Sequence, residues 1–449
     1  MARRRPNLME DPVGPALLRL ALPMVWSMLA VMTFNVVDSF YIGRLGPTPL
    51  AAIGFTFPVV FFVTGTAMGM GIGLSSVVSR AVGEGNHRRV AELTTRGLLL
   101  AFLVVAAFAG LGIAGHDRLF ALLGAQPEMI ALIRSYMVPW LAGIGFLVIP
   151  MVGNSAIRAT GDSVTPSIVM MISGGLNVVL DPLLIFGLGP FPRLELRGAA
   201  IATVLAYSVT FVAAFHVLIH REKLIRFERP RWRPLLESWG RILHVGLPAV
   251  GTNLLVPFAN GILTRILADL GPVAVAAYGV GTRIESLAMA GSYAMSTAVA
   301  AFAGQNIGAR RFDRIAASMR FGLKYCLFVS FGAWLVLALA AGPIARMFTD
   351  DPEIARILRP YLWLVPLSHG ALGFMLLAAA TFNAAGRPAQ SVVIFTTRLL
   401  VLTVPLAWAG SRWGGVAGVF VAIFIGNVGT GLLAHFLIHR ALRQPGRRL

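Results

Sequence analysis

The chain is expected to be an all-α integral membrane protein: twelve transmembrane helices in two six-helix bundles, related by an internal pseudo-two-fold repeat around a central cleft. Composition is the first reason. Of its residues 57% are hydrophobic and only 13% charged, with mean hydropathy +0.77, whereas soluble domains carry about 25% charged residues. The second is a run of twelve apolar stretches, each near the ~20 residues needed to cross ~30 Å of hydrocarbon. The third is internal repetition. Pro23 pairs with Pro248, Gly46 with Gly271, Gly83 with Gly308, Pro127 with Pro352, Tyr136 with Tyr361 and Gly161 with Gly386, and each later number less the earlier is 225. No gap interrupts that register, as expected for transporters built from two like bundles.

The apolar stretches are residues 17–42, 53–78, 98–113, 136–157, 167–186 and 198–219 in the first half, and 242–267, 273–303, 321–341, 361–382, 388–409 and 415–438 in the second. The organisation read from them is a first bundle over 1–220, a basic linker over 221–241 and a second bundle over 242–449. The apolar run after Arg3, Arg4 and Arg5 is too long for a signal peptide and reads as a retained first span. Six spans return the chain to its starting side, so the two halves share one orientation. The net charge of +19 does not indicate nucleic acid, because Lys and Arg gather in short connections. Arg3 to Arg5, Arg88, Arg89, the linker, Arg310, Arg311 and the tail with Arg440, Arg443, Arg447 and Arg448 fall on one side. Acids such as Asp117, Glu195, Asp269, Asp350 and Asp351 fall on the other. The positive-inside rule then places both termini in the cytoplasm of a multi-pass cell (inner) membrane protein. The linker run Arg229 to Pro234 reads as a tether to anionic lipid. Cys326, the single cysteine, reads as a buried thiol.

Ionisable groups inside spans are expensive and mark function. Asp38 and Asp181 qualify, with Glu285 nearer a helix end. The repeat partners of Asp38 and Asp181 are Leu263 and Leu406, so only the first half keeps this pair. Asn177 and Asp181 are four apart and Asn35 and Asp38 three apart, hence on common helix faces. Both acids stop about 6 to 8 Å short of their helix ends, at similar depth. Two carboxylates in a poorly solvated pocket cannot both stay ionised alone: one takes a proton, or both share a cation. Asn154, Asn177 and Thr203 offer oxygens for either. Asp38, Asn177, Asp181 and Thr203 would be the metal ligands only if the ion is sodium. Met68, Met70, Met289 and Met295, with Asn35, are candidates to line the substrate cleft, since methionine adapts to varied ligands. Gly65, Gly69, Gly71 and Gly73 read as close helix contact. Arg283 and Glu285 read as pairing or snorkelling at a helix end, and His369 as packing, so these stay outside the expected site.

The chain resembles the multidrug and toxic compound extrusion family along nearly its whole length. The resemblance rests on Pro23 followed by Asn35-Val-Val-Asp38, on Asn154 to Asp162, on Leu176-Asn177-Val-Val-Leu-Asp181-Pro182 and on Gly198-Ala-Ala-Ile-Ala-Thr203. Ala277-Tyr278-Gly279 and Gly304-Gln305-Asn306-Ile-Gly308 are similar to its DinF-type branch. The resemblance implies export of amphipathic, cationic organic compounds in exchange for protons or sodium by alternating access. It carries the coupling site to Asp38, Asn177 and Asp181, with Thr203 and Asn154, and helix bending to Pro23. The acids that NorM-type members carry in helices seven and ten are missing, which argues against coupling in the second bundle. The expectations are a non-enzymatic carrier, a small organic substrate, contact with membrane lipid, no cofactor beyond the coupling ion, no nucleic acid, and a monomer. A flippase for lipid-linked sugars is the alternative, and its cleft should favour bases over isolated acids.

Overall fold

A computed structural model describes residues 6–226, 231–348 and 351–443. Arg3, Arg4, Arg5, Arg229, Pro230, Asp350, Arg447 and Arg448 lie outside the described residues. The helices in chain order are α1 (Val13–Gly43), α2 (Pro47–Gly83), α3 (His87–Ala114), α4 (His116–Leu122), α5 (Pro127–Gly143), α6 (Gly145–Ala159), α7 (Val164–Phe186) and α8 (Glu195–His216). They continue with α9 (Trp232–Ala268), α10 (Pro272–Ala288), α11 (Ala290–Gly308), α12 (Phe312–Leu339), α13 (Ala341–Phe348), α14 (Pro352–Leu364), α15 (His369–Ala384), α16 (Pro388–Thr396) and α17 (Val404–Arg443). A 3-10 turn, Pro366–Ser368, joins α14 to α15, and a π-helical stretch, Thr397–Thr403, joins α16 to α17.

Among the described residues nine helical stretches are long and apolar enough to span, and two bent pairs raise the number to eleven. One of the nine, Pro388–Arg443, has 56 residues, which at 1.5 Å per residue would be about 84 Å long, far more than ~30 Å of hydrocarbon. It breaks at Gly415, whose φ of 57° and ψ of −139° are open only to glycine. Dividing it there makes twelve spans, in agreement with the apolar stretches. Spans four and eight are the bent pairs, α5 with α6 at 45° and α10 with α11 at 46°.

Starts and stops follow local chemistry. Proline opens α5, α10, α14 and α16, where its missing N–H costs nothing. Asn86 caps α3 by accepting from the Arg89 N–H at 2.9 Å. Gly187 ends α7 in the left-handed region at φ 72°. The expected linker over 221–241 is helical in its last part, because α9 starts at Trp232. Leu235 there is buried, the Trp239 indole donates to the Arg96 carbonyl at 2.9 Å, and Arg96 donates to the Pro234 carbonyl and the Ser238 hydroxyl. Packing thus extends the helix well beyond its apolar stretch.

The chain divides into two compact units. The first holds Trp26–Val82 and Asn86–Val250. Its core joins Leu74, Val78, Phe120, Ile133, Met137 and Ile157. Here α2 meets α9 closely: a Cβ on Gly69 would lie 2.6 Å from the Val250 nitrogen, and one on Gly73 2.9 Å from the Gly246 nitrogen. Small residues let backbones approach where lipid gives helices no hydrophobic drive to associate. The second unit holds the described residues up to Val25, Gly83–Gly85 and Gly251 onward, with a core of Leu267, Leu358, Tyr361, Leu362, Val419 and Phe420. Its N-terminal segment is fastened down by side chains. Asn306 and Arg314 both donate to the Leu8 carbonyl, Arg314 also to that of Asp11, and Arg311 to that of Met9. The chain therefore changes unit inside α1 after Val25 and inside α9 after Val250, two residues past Pro23 and Pro248.

Candidate cation site in the first unit

Asp38 comes from α1, Asn177 and Asp181 from α7, and Thr203 from α8. Three features hold these helices in register. The Ser27 hydroxyl lies 3.3 Å from that of Ser167, linking α1 to α7. Ser173 donates to the Ala206 carbonyl at 3.0 Å, linking α7 to α8. At Gly174 the Phe34 ring occupies the space a side chain would need, with Cγ only 2.9 Å from an added Cβ and the ring edge closer. Phe34 is four residues before Asp38 and Gly174 seven before Asp181, so this close approach lies about one turn from the first acid and two from the second.

The two carboxyl groups are within hydrogen-bonding reach of each other. Asp181 is wholly buried, at 0% exposure. The Asn177 amide donates to Asp181 Oδ1 at 3.1 Å and to the Thr203 hydroxyl at 3.4 Å. Thr203 in turn donates to the Ala199 carbonyl at 2.9 Å. Asp38 Oδ1 and Asp181 Oδ2 are buried without a donor, a costly state for a carboxylate oxygen. The arrangement can hold one positive particle: a proton shared by the acids, or a small hard cation taking the carboxylates, the Asn177 amide oxygen and the Thr203 hydroxyl. Pro182, next to Asp181, lacks the N–H that would bond the Val178 carbonyl one turn back.

Among the other expected residues, Asn154 on α6 is buried with its amide oxygen unpaired and hydrogen-bonds to neither aspartate. Asn35 is exposed on α1, its carbonyl accepting from Ser39 at 2.8 Å. Met68 is 53% exposed, but Met70, Met289 and Met295 are packed in the interior rather than on an open wall. Their positions among small residues explain it: Gly69 and Gly71 beside Met70 let neighbouring elements close over α2. Tyr136 on α5 and Tyr207 on α8 lie within electrostatic range of both acids, and the sequence reading missed them. Tyr136 carried a signal, since it is one of the repeat pairs, with Tyr361.

Glu285 is paired, one of its two expected fates, but inside span eight. It lies three residues before the bend at Ala288 to Ala290 that interrupts span eight, not at a membrane-facing end. Its carboxylate accepts from the Tyr361 hydroxyl at 2.6 Å and faces His369 Nε2 at 3.5 Å. His369 is therefore paired with an acid rather than simply packed, because the interrupted span ten carries it into the same interior.

The model of the MatE family matches residues 23–183 and 248–409, once in each half. Among curated proteins, the chain is 37% identical over 439 residues to an FAD transporter of Shewanella oneidensis, covering 97% of this chain and 96% of that one. It is 26% identical to a probable multidrug resistance protein, YoeA, of Bacillus subtilis, covering 87% and 85%. Among solved structures it resembles the Vibrio cholerae MATE transporter VcmN in the bent form, with TM-score 0.90 and 31% identity over 96% of this chain and 97% of that one. Two family matches in register with the repeat, on an all-helical frame of twelve spans, make this chain a member of the MATE family of membrane transporters.

Proposed function

We propose that the chain is a secondary antiporter of the cell (inner) membrane, with both termini cytoplasmic, which exports small organic compounds in exchange for a proton or sodium ion bound at Asp38 and Asp181. The observation that carries this reading is the adjacency of buried Asp181 and half-buried Asp38, each with a buried donorless oxygen, beside Asn177 and Thr203. Charged and empty, the pair favours one conformer; neutralised, it favours another. An ion shifts such an equilibrium only by its difference in affinity for the two states, and moving from 1:99 to 99:1 takes about 10⁴-fold, or about 5.5 kcal/mol. Pro23 is the bending point of α1 in this scheme, supported by its place two residues before the chain changes unit.

Two cargo classes are argued. Among the described residues no base forms an ion pair with Asp38 or Asp181, which supports amphipathic organic cations. The 37% identity to an FAD transporter supports a flavin dinucleotide, an aromatic anion. Proteoliposomes loaded with FAD or with a cationic dye, under proton and sodium gradients imposed separately, test both. Ion-driven movement of one cargo is the expected outcome. Gradient-independent leakage of both, or full ion-driven transport by Asp38→Asn, would overturn the proposal.

A further inference from the structure

The second unit contains its own buried acid–base cluster. Glu285 stands in the last turn of α10, with side-chain exposure of 19%, and His369 opens α15 at 1%. Both ring nitrogens of His369 are buried: Nε2 lies 3.5 Å from Glu285 Oε1, and Nδ1 has no hydrogen-bond partner. Arg398, on the π-helical stretch, is turned toward Asn427, donating from Nε to its amide oxygen at 2.9 Å, and Asn427 donates to the Ser368 hydroxyl at 2.8 Å. Within 4 Å of Glu285 the basic group is His369, while Arg398 acts from farther away. The other titratable groups in range of Glu285 are Tyr278, Tyr293 and Tyr361. On neighbouring elements, Cys326 of α12 lies by Gly373, a turn along α15 from His369, and His435 of α17 lies against Phe374.

The repeat shows this is not a remnant of the first site. Counting back 225 positions, Glu285 falls on Val60, His369 on Ile144 and Arg398 on Ser173, none of them charged. Tyr361 falls on Tyr136. Tyr361 thus donates to an acid and Tyr136 lies in electrostatic range of the first unit's acids, but those acids come from different helices and only the second unit adds an imidazole and a guanidinium.

We propose that Glu285 and His369 form a second, proton-specific switch that sets the bend of span eight. With His369 neutral, Glu285 and Arg398 balance, and the imidazole holds the carboxylate through no more than a neutral contact at 3.5 Å from Nε2. A proton taken up on His369 makes a charge-assisted pair with Glu285 and raises the net charge of the cluster by one. An imidazole facing a carboxylate accepts a proton but offers sodium no oxygen, unlike the carboxylate pair of the first unit. The pair ties α10 to α15 three residues before the 46° bend, so its strength controls how firmly that bend is held.

The test uses purified full-length protein carrying Asp38→Asn and Asp181→Asn, with no cargo or gradient, so that its result is independent of the transport proposal. Proton uptake is measured on an acid pulse, with isotope-edited infrared bands of labelled histidine as the signature. Adding His369→Gln should remove about one proton per chain. Glu285→Gln, which keeps an acceptor for Tyr361 and removes the counter-charge, should remove the same proton, and sodium should not displace it. Amide exchange over residues 286–292, corrected for intrinsic rate, should slow on acidification in the parent and stay unchanged in both variants. Equal proton uptake with and without His369, or competition by sodium, overturns the proposal. If a variant does not yield folded protein, the parent still decides: acid-insensitive exchange over 286–292 refutes the switch.

Discussion

Gly174→Ala is the sharpest probe of the first-unit site, because it adds one carbon where α1 meets α7 and touches no candidate ligand. The new Cβ would stand 2.9 Å from Phe34 Cγ and nearer to the ring edge, against about 3.5–4.0 Å for carbon–carbon contact. Roughly two ångströms of overlap with the ring edge must be relieved, by swinging the ring or by parting the helices. Overpacking of this kind costs about 1–3 kcal/mol. Parting the helices by that amount also carries Asp38 from hydrogen-bonding distance of Asp181 toward separations above about 3.5 Å, where the bond is lost. A hydrogen bond to a charged group contributes about 1.5–3 kcal/mol, so coupling-ion affinity should fall about 10- to 150-fold. The assay is ion-driven efflux from everted vesicles as a function of ion concentration, normalised to folded protein by size-exclusion chromatography. The half-saturating concentration should rise by that factor, and Phe34→Ala in the same chain should restore it by opening the space. Unchanged ion dependence in Gly174→Ala, or a folded double variant with no recovery, would refute the idea that helix contact sets the carboxyl geometry.

Asp38→Asn and Asp181→Asn should each abolish ion-driven efflux while leaving the protein folded, and a folded variant with wild-type coupling removes that residue from the site. Asn177→Ala leaves Asp181 Oδ1 without its donor and should cost about 1–3 kcal/mol of ion-site stability, read as a shift in ion-dependent thermal protection. Gly415→Ala forces a side chain into the backbone conformation at φ 57°, ψ −139°, so a destabilisation of about 1–3 kcal/mol should appear as a lower melting temperature. Arg314→Ala removes donors to the Leu8 and Asp11 carbonyls. It should expose the N-terminal segment to protease at a site protected in the parent, and unchanged cleavage would count against that fastening.

Much of the architecture was legible along the chain because membrane spanning is a one-dimensional constraint: enough consecutive apolar residues, interrupted where the chain must turn. The 225-residue register, the twelve stretches and the pairing of Asp38 with Asp181 at matched depth all follow from helical rise and spacing. The helix starts did not. Arg96, Trp239 and Leu235 extend α9 through partners distant in sequence, and no local pattern announces that. Cleft-facing and core methionines also look alike in sequence, and which face of a helix is covered depends on what packs on it.

What the amino-acid order determined by itself was the solvent this protein lives in, the number of its spans, the doubling of its halves and the identity of one buried acid pair. Only the tertiary structure decided that Phe34 nests on Gly174 between the helices of those acids, that Tyr136 lies in range of one acid site and Tyr361 donates to another, and that Glu285 meets His369 just before the bend of span eight. The reason is physical. Depth and periodicity are properties of one helix, whereas a buried charge takes its meaning from groups on other helices, and their approach is set by packing that no single stretch encodes.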